Sequence, residues 1–342
     1  MVSAVRNEGP HLLEWLAHQR AAGVTDFLIA SNDCEDGTDA MLDALQAAGI
    51  VAHLPLAPTG RRPVQWQALR AAQDHPLAAR ADWVLCIDCD EFVSLAAPLG
   101  GLPDLIADLP EGTDAVTLPW RLFGNGGHIA AGQGPTLERF TRAAPEDIAL
   151  PSAHFFKTLF RPGAFGAFGV HRPKVAGRGA LPRWSDADGR PMPPAFAEAQ
   201  GRINLFGLPG GRALVELNHY SLRSTEEFMT KRARGLPNHA EREIGLGYWV
   251  ERNFNAERAR RIVRMLPATR AALADLQGID GLASLEAAAR DWHRDRLAQL
   301  MRDPAEVALF WQLVLAGDST PPSRGEVQAH LHRLAAARGA HG

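Results

Sequence analysis

The sequence has few cysteines, no long apolar run and no large excess of charge of either sign. Its three cysteines leave at least one unpaired, which argues against a disulfide framework. A formal net charge of -3 gives no electrostatic reason to expect nucleic acid or an anionic membrane as a partner. No run approaches the roughly 20 apolar residues that cross a bilayer, so no transmembrane segment is predicted. Because residues 1–10 contain no apolar signal core, we expect a cytoplasmic protein, either free or peripheral to the inner face of the membrane.

Cys86 and Cys89 form a C-x-x-C pair, which is typical of some redox and zinc sites. On a strand, however, positions three apart face opposite sides, and no second pair of cysteine or histidine ligands completes a zinc site. We therefore interpret both cysteines as ordinary core residues.

The first 120 residues alternate short apolar segments with helix-like segments. The pattern predicts strands at residues 1–5, 26–31, 50–54 and 83–87, and helices at residues 10–22, 36–48 and 65–79. Such alternation predicts an α/β fold of the GT-A type, with a mostly parallel sheet flanked by helices. Ligands bind such sheets in the crevice beyond the carboxyl ends of the strands.

The pattern changes after this region. Short β-like runs at residues 116–120, 155–160 and 214–217 alternate with loops rich in glycine and proline, and such long loops are commonly functional. From residue 225 the chain looks helical. We expect an α/β domain over residues 1–255 and a helical C-terminal extension over residues 256–342.

The most informative segment is residues 83–92, in which an apolar run ends in Asp88, Asp90 and Glu91. Because side chains two apart on an extended chain share a face, Asp88 and Asp90 are expected to lie close together. Neighbouring carboxylates usually share a proton or hold a divalent cation. We therefore predict Asp90 as a direct ligand of Mg²⁺ or Mn²⁺, and Asp88 as a contact to a ribose and to metal-bound water.

Polar residues also follow the other predicted strands. Arg6, Asn32 and Asp33 lie at such strand ends and are predicted to line a nucleotide. The acidic residues after Asn32 superficially resemble a calcium loop, but their spacing does not fit one. Later in the chain, His219 ends a β-like run and is the predicted third metal ligand. Lys231 follows and is a candidate contact to a diphosphate.

The ordered motifs resemble those of bacterial family 2-like glycosyltransferases with a GT-A fold and an Asp-x-Asp-Glu-Phe signature, which are related to the family 92 enzymes. The resemblance covers about residues 1–260 and rests on these segments: residues 5–8, 36–38, 82–83, 88–92, 120–124, 138–140, 157, 161–162, 171–173, 218–220 and 252–255.

This resemblance implies a UDP- or GDP-linked sugar as donor, a divalent metal on Asp88 and Asp90, support for His219 as a ligand, and inversion at the anomeric carbon. It also implies a saccharide or glycolipid acceptor, as in polysaccharide assembly. Lys157 and His171 are weaker candidates for phosphate or acceptor contacts.

The usual acidic pair that supplies the catalytic base in family 2 is not visible in its ordinary form. An inverting transfer needs a carboxylate near the acceptor hydroxyl. Glu138 follows the loop expected to face the acceptor and is the first candidate, although a salt bridge to Arg139 or Arg142 would explain it equally well. Glu146 and Asp147 are the alternatives.

Two other functions remain open at this point. A sugar-phosphate nucleotidyltransferase shares the layout and the metal, but it normally has a glycine-rich basic loop after the first strand, where this chain has Arg-Asn-Glu-Gly-Pro. A carbohydrate-binding module that has lost catalysis would not need both aspartates.

Overall fold

The computed structural model describes residues 1–177, 180–208, 210–235 and 244–339. Within these ranges the protein is a mixed α/β structure with a helical C-terminal region. Its strands are β1 (Val2–Val5), β2 (Leu28–Ser31), β3 (Ala52–Pro55), β4 (Val84–Leu85), β5 (Glu91–Leu95), β6 (Ala115–Leu122), β7 (Arg142–Ala143), β8 (Phe156–Phe160), β9 (Trp184–Ser185), β10 (Val215–His219) and β11 (Glu257–Arg258).

The helices of the described ranges lie between and after these strands. They are α1 (Gly9–Ala21), α2 (Thr38–Ala47), α3 (Val64–Gln73), α4 (Pro76–Arg80), α5 (Leu102–Ala107), α6 (Thr136–Arg139), α7 (Pro194–Glu198), α8 (Thr225–Arg234), α9 (Leu246–Val250), α10 (Leu266–Gln277), α11 (Leu282–Leu300), α12 (Pro304–Ala316) and α13 (Arg324–Gly339). None of them combines the length and the apolar character that a bilayer span requires.

The strands form a parallel part and a mixed part. Strands β1, β2 and β3 are parallel neighbours, and a parallel bridge from Val2 to Cys86 joins them to the segment after β4. The second sheet has the order β4-β8-β6-β10-β5, with β9 beside β6. There β6 is parallel to β10 and β9, whereas the β4–β8, β6–β8 and β5–β10 pairs are antiparallel.

The expectation of a mostly parallel sheet was therefore too simple. The predicted alternation holds for β1 to β4 and for the helices between them, although the third predicted helix is divided into α3 and α4. Between β4 and β5, however, the chain makes only a short turn and no helix. Parallel neighbours need a longer crossover, and β5 instead lies at the opposite edge of the sheet, antiparallel to β10.

The helices after residue 256 share the core of the α/β part. Leu266, Leu276, Leu282 and Ala289 belong to the same buried cluster as the apolar residues of α1 and β5. Ile262 and Met265, which directly precede α10, belong to this cluster as well. The boundary at residues 255/256 stays a prediction, but the segment beyond it is packed against the core along α1.

Gly9 shows how closely α11 approaches the start of α1. A methyl group added at Gly9 would lie 2.5 Å from Cβ of Ala289 and 3.1 Å from Oδ2 of Asp36. The backbone N–H of Gly9 donates to the same Asp36 oxygen at 3.0 Å. A glycine at this position therefore permits helix α11 to cover the loops that follow β1 and β2.

We expect Gly9→Ala to destabilise the protein by about 1–3 kcal/mol, because the added methyl group overpacks the contact with Ala289. Urea denaturation measures the loss. The double variant Gly9→Ala/Ala289→Gly should recover part of the loss, whereas Gly163→Ala, where nothing lies within 4 Å, is the neutral control. Equal stabilities for Gly9→Ala and the control would contradict this packing.

His18 connects three elements of the core. Its Nε2 lies 2.7 Å from the carbonyl oxygen of Val93 in β5, and its Nδ1 lies 3.0 Å from the hydroxyl of Thr269 in α10. A carbonyl only accepts, so the ring donates from Nε2. Burial lowers the pKa of His18 to about 4.

The sign of the resulting pH dependence follows from this lowered pKa. An unfolded histidine titrates near pH 6.5, so below that pH His18 binds a proton in the unfolded chain but stays neutral in the folded protein. We expect this residue to cost about 2 kcal/mol of stability between pH 7 and pH 5. In urea titrations, His18→Gln should lose less stability over this interval than wild type, while a His330→Gln control on exposed α13 should match wild type. An identical loss in all three proteins would contradict the assignment.

Candidate functional site

The Asp88–Glu91 segment forms a turn at the edge where several strands end. The N–H of Glu91 donates to the carbonyl oxygen of Asp88 at 3.0 Å, and β5 begins at Glu91. The chain is thus not extended across the two aspartates, and the prediction that they share a strand face was wrong. Each carboxylate has its own set of partners.

The carboxylate of Asp88 lies between a buried lysine and a glutamine. Lys157 of β8 donates from Nζ to Oδ2 at 2.9 Å, and Gln65 of α3 donates to Oδ1 at 2.7 Å. Burial disfavours the charge on Lys157, but Asp88 and Glu91 outweigh it and raise the pKa of the ammonium. The side chain of Lys157 is 1% exposed and that of Asp88 is 32% exposed, so a ligand can reach the aspartate but not the lysine.

The carboxylate of Asp90 is buried beside Lys231 and His219. Nζ of Lys231 in α8 donates to Oδ2 of Asp90 at 2.6 Å and to the carbonyl oxygen of Ser221 at 2.8 Å. Nε2 of His219 lies 3.7 Å from the same carboxylate oxygen. Burial pushes the pKa of Asp90 up, but Lys231 and His219 outweigh it, and the pKa lies well below its usual range. Burial lowers the pKa of His219, which leaves its ring neutral.

The buried carboxylate of Glu91 holds the turn in place. Its carboxylate accepts hydrogen bonds from Nε1 of Trp120 at 2.6 Å and from the backbone N–H of Asp88 at 2.8 Å. Nζ of Lys157 lies 3.4 Å away. Burial raises the pKa of Glu91, and Lys157 opposes that rise. Glu91 therefore holds the backbone on which both aspartates are placed.

Trp120 and two histidines form the wall next to this turn. The ring of Trp120 in β6 lies 4.1 Å from that of His219 and 5.4 Å from that of His171. Nδ1 of His171 donates to the carbonyl oxygen of Phe156 at 3.0 Å. Burial and then the charge of Lys157 lower the pKa of His171 to about 3. The weak candidates Lys157 and His171 thus lie near the aspartate turn, where Lys157 is buried and His171 is partly buried.

The predicted nucleotide contacts after β1 and β2 lie side by side. Oδ1 of Asn7 accepts from the N–H of Glu35 at 2.8 Å, which joins the two loops. In the second loop, Asn32 donates to the exposed carboxylate of Asp33 at 2.9 Å. In the first, Arg6 donates to the carbonyl oxygen of Arg234 at 3.3 Å, at the end of α8 and about one turn beyond Lys231.

The candidate catalytic bases lie outside the aspartate turn. Glu138 in α6 forms a 2.8 Å ion pair with Arg270 of α10, which lowers the pKa of Glu138, and none of its described contacts is with the aspartate turn. Its partner is thus neither Arg139 nor Arg142. Glu146 pairs with buried Arg121 at 2.8 Å, which gives that glutamate a structural role.

A divalent metal does not fit this donor set as it stands. The described residues contain no group of three His, Cys, Asp or Glu side chains placed to hold a metal. Asp90 and His219 offer two donors, and Lys231 already occupies the Asp90 oxygen that faces His219. Asp88 points to Lys157 instead. The ligand set Asp88, Asp90 and His219 stays a prediction that requires rearrangement of Lys231.

Sequence reasoning missed three residues of this site. Gln65, Glu91 and Trp120 had no assigned role, although the sequence places Glu91 directly after the two aspartates. An acidic residue next to an Asp-x-Asp pair inside an apolar strand needs a buried partner, and that is the signal that identifies Glu91. The contact from Gln65 depends on how α3 packs and has no comparable signal.

A hydrogen-bonded Ser–His–Asp series lies outside the aspartate turn, on strands β2 and β3 and helix α2. Nε2 of His53 is 2.7 Å from Oγ of Ser31, and Nδ1 is 2.7 Å from Oδ1 of Asp43. Ser31 is buried at 4% exposure, while the side chain of Asp43 is 68% exposed. A nucleophilic serine needs the opposite arrangement, so we interpret this series as a link between β2, β3 and α2.

Comparisons with known proteins give distant matches only. No family model matches the chain, and no curated protein matches it in sequence. Among solved structures, S. aureus TarS 1–349 matches at 15% identity and a TM-score of 0.32, over 88% of this chain and 90% of that one. Mannosyltransferase PcManGT from Pyrobaculum calidifontis, solved with GDP-Man and Mn²⁺, matches at 14% identity and a TM-score of 0.34, over 91% of this chain and 80% of that one.

A third match is a Bacillus anthracis protein assigned as a glucose-1-phosphate thymidylyltransferase. It has 12% identity and a TM-score of 0.29, over 48% of this chain and 71% of that one. The chain therefore has distant structural similarity to glycosyltransferases and to a nucleotidyltransferase. Similarity at this level does not indicate an activity.

Proposed function

We propose that the protein transfers a sugar from a nucleoside-diphosphate donor, UDP- or GDP-linked, to a hydroxyl group of a saccharide or another acceptor, with inversion at the anomeric carbon. The observation that carries the proposal is the Asp88–Glu91 turn, in which a partly exposed carboxylate and a lysine on α8 lie beside the loops that follow β1 and β2. This edge is where ligands bind in sheets of this kind.

The roles of the residues follow from their contacts. Asp88 accepts hydrogen bonds, and its exposed part suits the hydroxyl groups of a ribose. Its orientation is fixed by Gln65 and Lys157. Arg6, Asn32 and Asp33 supply donors and acceptors for the rest of the nucleotide. Lys231 supplies positive charge at the end of α8 for the diphosphate.

Transfer requires a base at the acceptor as well. The acceptor oxygen attacks the anomeric carbon and loses its proton, while the bond from that carbon to the diphosphate oxygen breaks. Glu138 stays our candidate for this base; it lies outside the aspartate turn, where its ion pair with Arg270 lowers its pKa and keeps it ionised at neutral pH. The predicted Mn²⁺ or Mg²⁺ has no part in this description, since Lys231 would first have to leave Asp90.

The loop after β1 argues against the nucleotidyltransferase alternative. Such an enzyme needs backbone and basic groups there to hold a triphosphate. Here Glu8 places a carboxylate in this loop, held by Arg234 and by Arg223 at 3.6 Å. Formation of a glycosylated product would distinguish a transferase from a binding module without catalysis.

Asp88→Asn tests the nucleotide site. We expect the affinity for UDP or GDP to fall about tenfold or more, because a ribose hydroxyl loses a charged acceptor that is worth about 1.5–3 kcal/mol. Calorimetric titration measures the change. Asp74→Asn, an exposed aspartate paired with Arg70, is the matched control and should bind like wild type. Equal affinities in wild type and Asp88→Asn would remove Asp88 from the site.

Glu138→Gln tests the base. We expect diphosphate affinity to stay unchanged while sugar transfer falls by about 10²–10⁴, the usual contribution of general base catalysis. Arg270→Gln is the control, because it breaks the same ion pair and leaves the carboxylate in place. If both variants lose activity equally, Glu138 serves the ion pair and another residue is the base.

A further inference from the structure

The two aspartates of the turn are each already paired with a lysine. Lys157 neutralises Asp88 at 2.9 Å and Lys231 neutralises Asp90 at 2.6 Å. The lysines come from different elements, β8 and α8, and meet the turn from different sides. A divalent ion approaching Asp90 would meet a carboxylate that is already neutralised, together with the repulsion of a nearby ammonium group.

Lys231 has the geometry to act in place of such an ion. Its ammonium group has three N–H donors, and its partners among the described residues are Asp90 and the carbonyl oxygen of Ser221. One donor therefore remains for a ligand. The side chain of Lys231 is 10% exposed, compared with 1% for that of Lys157.

Arg6 lies near the same helix end and has a second uncommitted donor. Its Nη1 donates to the carbonyl oxygen of Arg234, which follows Lys231 by three residues on α8. Its Nε is buried and has no partner within the described part of the chain. A diphosphate beside Lys231 would accept from its third N–H, and such a charge-assisted bond is about twice as strong as a neutral one. The enclosed Arg6 guanidinium would add positive charge nearby.

We propose that Lys231 takes the role predicted for Mn²⁺ or Mg²⁺, so that the nucleoside diphosphate binds and leaves without a metal ion. This inference rests on the proposed sugar transfer. As the bond between the anomeric carbon and the diphosphate oxygen breaks, the leaving group gains negative charge. The third N–H of Lys231 donates to that group, while Asp90 keeps the ammonium in position.

Calorimetric titration with UDP and GDP tests this inference, in EDTA and separately with Mn²⁺. We expect wild type to bind the same nucleotide with affinities within about twofold in the two conditions, and Lys231→Met to lose about tenfold or more in EDTA, the cost of one charged hydrogen bond. Lys174→Met is the matched control, since the Lys174 ammonium lies over the ring of Trp66 and has no described ion pair with either aspartate. It should bind like wild type.

Lys231→Met leaves the buried carboxylate of Asp90 without its cation and can impair folding. The double variant Asp90→Asn/Lys231→Met removes both charges and should show the same weak binding in EDTA. Addition of Mn²⁺ should strengthen binding by Lys231→Met, because Asp90 and His219 are then free to take the ion, but should not affect the double variant.

The outcomes separate the two proposals. Binding in EDTA that is lost in Lys231→Met supports the inference. Wild-type binding that appears only with Mn²⁺ overturns the inference and leaves the transferase proposal standing. No binding of UDP or GDP in either condition contradicts the proposed function itself.

Discussion

The pairing of Asp88 with Lys157 and of Asp90 with Lys231 is the constraint on which the site depends. A buried charge without a partner is strongly unfavourable, so buried Asp90 needs Lys231 and buried Lys157 needs Asp88 when the turn folds. Lys157 reaches the turn only if β8 lies between β4 and β6, and Lys231 only if α8 follows β10 at the correct angle. The arrangement of the mixed sheet and the charge of the site are therefore linked.

The same loops depend on the C-terminal helices. The carboxylate of Asp36 accepts hydrogen bonds from the backbone N–H of Thr38, at the start of α2, and from that of Gly9. It also lies 3.0 Å from Nε2 of His293 in α11. The end of β1, the end of β2 and helix α11 thus meet at one carboxylate. A segment that looks like an appendage in the sequence supports the loops proposed to hold the nucleotide.

The local elements could be predicted from sequence, and the contacts between distant ones could not. Apolar spacing and terminal glycines located α1, α2 and the first strands to within a few residues, because these signals are local. The partners of the aspartates are 69 and 141 positions away, and no local pattern specifies them. The expectation of an extended Asp-x-Asp pair failed because a turn places the two side chains among different partners.

A crystal structure with UDP or GDP grown in the presence of Mn²⁺ tests the account most directly, because manganese is located by its anomalous scattering. The account predicts Nζ of Lys231 within hydrogen-bonding distance of both Asp90 and a phosphate oxygen, with no manganese peak at the turn. A manganese ion bound between Asp90 and His219, with Lys231 displaced from the carboxylate, would contradict it.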